Sequence, residues 1–166
     1  MIYLKDIFNG LVTNMTLTAY FQFGYWPEIA NDYMSKGRSF AQGQQRYPMI
    51  MLSAGWSENR ELVDYRLEFE CSPSIYIVSI SKKELSTSDR SERIYKEILD
   101  PIYLEFMDKI RESRQFLLDN KRIEHEKTNL YYLRTLEANQ NQLNEYVDAI
   151  EIKFNNLKIL RRKCNE

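Results

Sequence analysis

Cysteine is scarce in this chain: Cys71 and Cys164 stand far apart and form nothing like a disulfide framework. Glycine is scarce too, and five scattered glycines cannot supply the convergent backbone N–H groups of a phosphate-binding loop. There is one histidine, His125, so no two-histidine metal spacing exists. Charge of one sign is missing: 23 Lys+Arg face 24 Asp+Glu, a net charge of -1. That balance argues against general nucleic-acid binding and against attachment to an anionic membrane, and suits a protein that works assembled. The apolar run Met49–Leu52 is far short of the ~20 residues of a membrane span. The N-terminus carries Lys5 and Asp6 and lacks an apolar signal core, so the expected setting is a reducing cytoplasm or a particle assembled there.

What remains is a chain of 166 residues, 43% hydrophobic and 28% charged, which fits one domain over 1–166. A chain near that length buries roughly 68–70% of its unfolded surface. Aromatic residues are abundant, with 12 Tyr and 8 Phe, and they serve cores and interfaces alike.

Residues 2–20 repeat Ile2, Leu4, Ile7, Phe8, Leu11, Val12 and Met15 at three- and four-residue steps, which predicts a helix with one apolar face. Residues 20–46 carry Gly24, Pro27, Gly37 and Gly43 and read as an irregular or partly helical arm of exposed aromatics. Tyr47–Leu52 reads as a short strand, Gly55 to Asn59 as a turn, and Val63 to Cys71 as a strand with strict alternation. After the turn signal Ser72-Pro73-Ser74, Ile75–Ile80 is apolar on both faces and reads as a central strand. Short turns between these strands favour antiparallel pairing.

Residues 89–117 read as the longest helix, starting at a capping-box-like Asp89 and Glu92. Ile94, Ile98, Ile102, Phe106 and Ile110 fall every four residues along it. At Asp100-Pro101 either this helix kinks or a second one starts with Asp100 as cap. Leu130–Leu133 is a short strand candidate, followed by a polar stretch from Asn139 to Asn144. In the last segment Ile150, Ile152 and Phe154 sit on even positions, whereas Leu157 and Ile159 sit on odd ones. A strand changes the parity of its buried face only with an extra residue or a turn, so Asn155-Asn156 marks a hairpin or a bulge. The fold class that follows is α+β: a mostly antiparallel sheet flanked by an N-terminal helix and a long central helix, closed by a C-terminal strand or hairpin.

The search for chemistry yields little. His125 with Glu124 and Glu126 is a run of neighbours, which do not converge on one ion and read as a solvated charge run. Cys71 ends the apolar face of a strand, where it reads as a small core residue, not a thiolate. Ser53-Ala54-Gly55-Trp56 lacks the spacing of a nucleophile elbow. The expectation is a protein without catalytic residues, metal or cofactor. Two charged features remain. The acidic positions Asp64, Glu68 and Glu70 share one strand face, and would repel nucleic-acid phosphates if they lined a pore. Arg161, Arg162 and Lys163 are either a solvated C-terminus or a contact to phosphate or to an acidic face of a neighbouring subunit.

The order of blocks resembles the head–tail joining, neck and tail-completion proteins of tailed bacteriophages. The likeness is carried by Tyr47-Pro48-Met49-Ile50-Met51-Leu52 behind an N-terminal helix, and by Ser79-Ile80-Ser81 leading through Thr87–Arg93 into Ile98-Leu99-Asp100-Pro101-Ile102-Tyr103. Val147–Ile152, Leu157-Lys158-Ile159 and a late Cys164 complete it. The resemblance implies a small α+β virion subunit, assembled in the host cytoplasm into a homo-oligomeric ring between portal and tail. Its implied partners are the portal, neighbouring neck or tail proteins and passing double-stranded DNA read without sequence specificity. It implies no membrane, enzyme activity or cofactor. The 20–46 arm departs from that layout, and its aromatics Phe21, Phe23, Tyr25, Trp26, Tyr33 and Phe40 are the interface candidates. Tyr25 and Trp26 are expected at a contact with a neighbouring chain, with Gly24 and Pro27 fixing the turn; the alternative is that Trp26 plugs the open face of its own sheet. The competing reading is a small cytoplasmic α+β adaptor or enzyme with a pocket at Cys71 and His125, which requires the two to lie within hydrogen-bond reach.

Overall fold

Apolar residues at helical steps place α1 at Ile2–Thr13, with Leu4, Ile7, Phe8, Leu11 and Val12 buried along one face, as the sequence predicts. The computed structural model describes residues 2–25, 47–63, 66–81, 84–118, 122–133 and 146–161. Among these the strands are β1 (Tyr20–Gly24), β2 (Met49–Ser53), β3 (Glu58–Val63), β4 (Arg66–Cys71), β5 (Ser74–Ser81), β6 (Phe116–Leu117), β7 (His125–Leu133), β8 (Tyr146–Phe154) and β9 (Leu157–Arg161). They form a five-stranded sheet in the order β1-β2-β5-β8-β7 and a four-stranded sheet in the order β3-β4-β9-β6. Every pairing is antiparallel except β1 with β2. The fold is α+β.

The two sheets are joined by a bent ribbon. β4 runs into β5 through Ser72-Pro73, and β8 runs into β9 through Asn155-Asn156, each crossing from one sheet to the other. Cys71 pairs with Leu157 and Ser74 with Lys153, so two residues on one side of the corner oppose three on the other. That one-residue excess is a bulge, and it lets Phe154 and Leu157 both face the core. Asn156 absorbs it at φ 51°, a left-handed conformation that asparagine tolerates. Of the two readings of Asn155-Asn156, the bulge is the one formed, because β8 and β9 pair with β5 and β4 and not with each other.

Two strand assignments need correction. Val63–Cys71 is not one strand: Val63 pairs with Arg66, so the chain reverses between them and β3 returns along β4. Asn59, expected in a turn, lies in β3. The run around His125 also extends the short Leu130–Leu133 candidate into the nine-residue β7. The polar stretch 139–144 lies outside the described residues.

The central helix, α2, spans residues 87–112 in three windings: Thr87–Arg90, a π-wound stretch Ser91–Leu99, and Asp100–Glu112. Its cap is Ser86, three residues before the predicted start; the Ser86 hydroxyl accepts from the Asp89 N–H at 3.1 Å and donates to the Asp89 carboxylate at 2.6 Å. It ends five residues earlier than predicted, because Phe116–Leu117 leaves the helix to pair with β9. Leu99 and Asp100 both stay helical, and the Asp100 N–H bonds to the Tyr95 carbonyl five residues back. Pro101 has no N–H to give, and its ring crowds the turn before it; we attribute the wider winding there to that crowding. No second helix starts at Asp100, whose carboxylate instead takes Lys127 Nζ of β7 at 2.6 Å.

Both helices cover one face of the five-stranded sheet. The main core gathers Phe8, Ile50, Leu52, Ile75, Ile77, Leu99, Phe106, Phe116, Ile150, Ile152, Phe154 and Ile159 from both helices and both sheets. A smaller cluster of Met49, Met51, Val78, Val147 and Ala149 lies on the other face of the five-stranded sheet.

Candidate assembly surface and buried polar groups

The aromatic segment starts as a strand, not as the irregular arm its glycines suggest. Tyr20–Gly24 lies parallel on β2, and alternation turns Phe21 and Phe23 towards the main core, where both are half-buried. Phe23 meets the Trp56 ring edge-on at 6.0 Å and lies under Lys5 Nζ at 5.6 Å. Tyr25 stays 52% exposed, its ring against Gly55, whose φ of +97° only glycine adopts without strain. With Tyr20 at 40% and Leu17 at 41%, it puts three exposed large apolar side chains around β1. Trp26, Tyr33 and Phe40 lie outside the described residues.

Of the acidic positions, Glu68 and Glu70 share β4. Asp64 is outside the described residues between β3 and β4, Glu68 stands opposite Glu61 and Leu160, and Glu70 bonds Lys158 of β9 at 3.1 Å. Arg161 ends β9 opposite Leu67, while Arg162 and Lys163 lie outside the described residues.

Cys71 and His125 have separate partners. The Cys71 thiol is buried and faces the Leu157 carbonyl at 3.6 Å. His125 donates from Nδ1 to the Ile123 carbonyl at 2.9 Å, which leaves Nε2 to accept the Tyr103 hydroxyl at 2.7 Å. Lys127 lies over the same Tyr103 ring at 4.7 Å, so this cluster fastens β7 to α2. Burial, reinforced by the Glu58 charge, pushes the Cys71 pKa up from 9.0 to about 12. The folded chain therefore holds this proton more tightly than the unfolded chain. The resulting stabilisation is complete below pH 9 and is lost as pH rises through about 12. In a Cys164→Ser background, a disulfide reagent at pH 8 is expected to label Cys71 on the order of 10²-fold or more slower than in urea. The urea midpoint is expected to fall more steeply between pH 9 and 11 in that background than after a further Cys71→Ala replacement. Rapid native labelling would contradict this assignment.

The polar site that the sequence reading missed is buried beneath α2. Arg90 and Asp148 are both fully buried, with Nη1 to Oδ2 at 2.7 Å and Oδ1 at 2.9 Å. Arg90 also donates to the Ser81 hydroxyl and, through Nε, to the Leu85 carbonyl at 3.2 Å. One turn on, the buried Tyr95 directs its hydroxyl to the Leu130 and Ala149 carbonyls at 2.9 and 3.2 Å. These carbonyls border the irregularity between Leu130 and Leu133 of β7. Burial, then the Asp148 charge, raises the Tyr95 pKa above its ordinary value. A signal was present: Asp148 shares the even parity of Ile150, Ile152 and Phe154, so it had to face inward. Its partner carried none, since Arg90 sits in a uniformly polar run.

These buried groups are engaged with one another and with backbone. A shallow cleft of about 550 Å³ between α1 and the end of α2 is lined by Asp6, Gly10, Asn14, Lys109, Glu112 and Gln115. Among the described residues no group of three or more His, Cys, Asp or Glu is placed to hold a metal, and no helix is long and apolar enough to cross a membrane. Compared with known proteins, the chain matches no family model and no curated protein.

Proposed function

We propose that the chain is a structural subunit, not an enzyme, that assembles with copies of itself into a ring at the portal–tail junction of a tailed-phage virion. The observation that carries the assembly part is the gathering of Leu17, Tyr20 and Tyr25 around β1, an edge of the five-stranded sheet among the described residues. Exposed aromatics at a sheet edge are anchors that a neighbouring chain can cover. The virion setting is supported by the resemblance in layout, and the α+β fold agrees with it. A ring needs two different, complementary patches per subunit. The portal, neighbouring neck or tail proteins and passing DNA are the partners this reading names, with Glu70 and Arg161 as channel or intersubunit charges. The competing reading would place Cys71 and His125 in one pocket, whereas the contacts described join Cys71 to the Leu157 carbonyl and His125 to the Tyr103 hydroxyl. Antibody labelling of purified phage particles viewed by electron microscopy tests the proposal. Label at the neck is the expected result; particles without the protein would contradict it.

A further inference from the structure

The two sheets expose four edge strands among those described: β1, β7, β3 and β6. Edges invite pairing with another chain, and proteins guard them with charge, bulges or shortness. β7 carries Glu126 and Lys127 and an irregularity between Leu130 and Leu133. β3 carries Glu58, Arg60 and Glu61, and β6 is two residues long. β1 has none of these guards, and no charged residue occurs anywhere from Ile7 to Pro27.

The direction of its backbone groups follows from its bonds to β2. The Tyr20 N–H goes to the Pro48 carbonyl at 3.0 Å, and the Gly24 carbonyl accepts the Ala54 N–H at 3.0 Å. Tyr20, Gln22 and Gly24 therefore point their backbone groups inward, and alternation leaves those of Phe21 and Phe23 pointing off the sheet. Tyr-Phe-Gln-Phe-Gly is nearly palindromic about Gln22.

We infer that β1 pairs antiparallel with β1 of a second copy across a twofold axis at Gln22, joining two five-stranded sheets into one. In that register Phe21 exchanges both main-chain hydrogen bonds with Phe23 of the second copy, and symmetry repeats the exchange. The two phenylalanines face each other on the core side, an aromatic cross-strand pair. On the outer side Tyr20 covers Gly24 of the second copy, filling the space glycine leaves, and the two Gln22 amides meet on the axis. The uncharged edge is complementary to itself, whereas the charged β3 and β7 are not. This contact does not rest on the ring: a twofold contact joins subunits in pairs, and a ring closes through a heterologous one.

Position 22 gives the test, because its exposed side chain leaves the fold untouched when replaced. In the full chain, Gln22→Lys sets two like charges on the axis. It is expected to raise the pair's dissociation constant about tenfold or more, at an unchanged thermal midpoint. Gln22 faces its counterpart as a non-hydrogen-bonded pair with Cα atoms ~4.5 Å apart, within disulfide range. Gln22→Cys in a Cys164→Ser background is thus expected to form a covalent dimer under mild oxidation, and Thr18→Cys is not. An oligomer that Gln22→Lys leaves intact overturns the β1 contact and leaves the ring standing. A wild-type chain that is monomeric at 100 micromolar (about the upper end of a routine sedimentation run) with no Gln22→Cys cross-link also overturns it. Pairs that Gln22→Lys dissolves and Gln22→Cys traps support it, whether or not larger species form.

Discussion

Replacing Asp148 alone with Ala is expected to destabilise the chain by about 3–5 kcal/mol, because it removes the buried carboxylate whose two oxygens bond a fully buried guanidinium. Arg90 and Asp148 are each fully buried, and Arg90 sits where the first turn of α2 meets its π-wound stretch. Arg90 then loses both carboxylate bonds, while its bonds to the Ser81 hydroxyl and the Leu85 carbonyl remain. For a domain of this size the loss corresponds to a fall in Tm of roughly 6–20 °C. Replacing both partners with apolar residues of similar volume, Arg90→Met with Asp148→Leu, is expected to recover most of the loss. Denaturant unfolding of Arg90→Met, Asp148→Leu and the double variant gives the coupling energy directly. A single Asp148→Ala variant within 1 kcal/mol of wild type, judged against the ~0.5 kcal/mol scatter of neutral sites, contradicts the importance given to this pair.

Phe8→Ala is expected to cost a similar ~3–5 kcal/mol, for a different reason. Phe8 is fully buried, and its ring centre lies 6.0 Å from Phe106 of α2, 6.0 Å from Phe116 of β6 and 6.3 Å from Phe154 of β8. Removing it leaves a cavity where α1, α2 and both sheets meet, and four packed elements cannot all collapse into it. Leu104 is equally apolar but 58% exposed on α2, so Leu104→Ala is expected to stay within about 0.5 kcal/mol. Urea midpoints of the two variants side by side check the contrast. Equal effects would mean that the aromatic cluster is not the centre of the core.

Much of this fold is legible wherever burial alone sets the pattern. Leu4, Ile7, Phe8, Leu11 and Val12 announce α1, and the apolar run from Ile75 announces β5, buried on both sheet faces. The parity change at Asn155-Asn156 reports a break there, but not that the break is a bulge and not a hairpin. Legibility ends where the signal is a backbone event without its usual residues. The reversal between Val63 and Arg66 carries no Gly or Pro, so the alternation reads through it. Phe21 and Phe23 look like arm residues beside Gly24 and Pro27, because a parallel edge strand needs only five residues and a distant partner. The π winding left no trace of its own: Arg90, Ile94, Tyr95 and Leu99 are the buried positions, a spacing that an ordinary α-helix also gives. Of the candidate surface, Tyr25 was found as an exposed aromatic. The uncharged edge at Gln22 was not, since a missing charge becomes a signal only once β1 is known to be an edge.

The central claim is that this chain works assembled. Native mass spectrometry of the full 20.0 kDa protein at micromolar concentration tests it most directly. The account predicts a discrete closed multiple of the subunit mass that gives way to smaller species on dilution. A single species at 20.0 kDa at every concentration would contradict it.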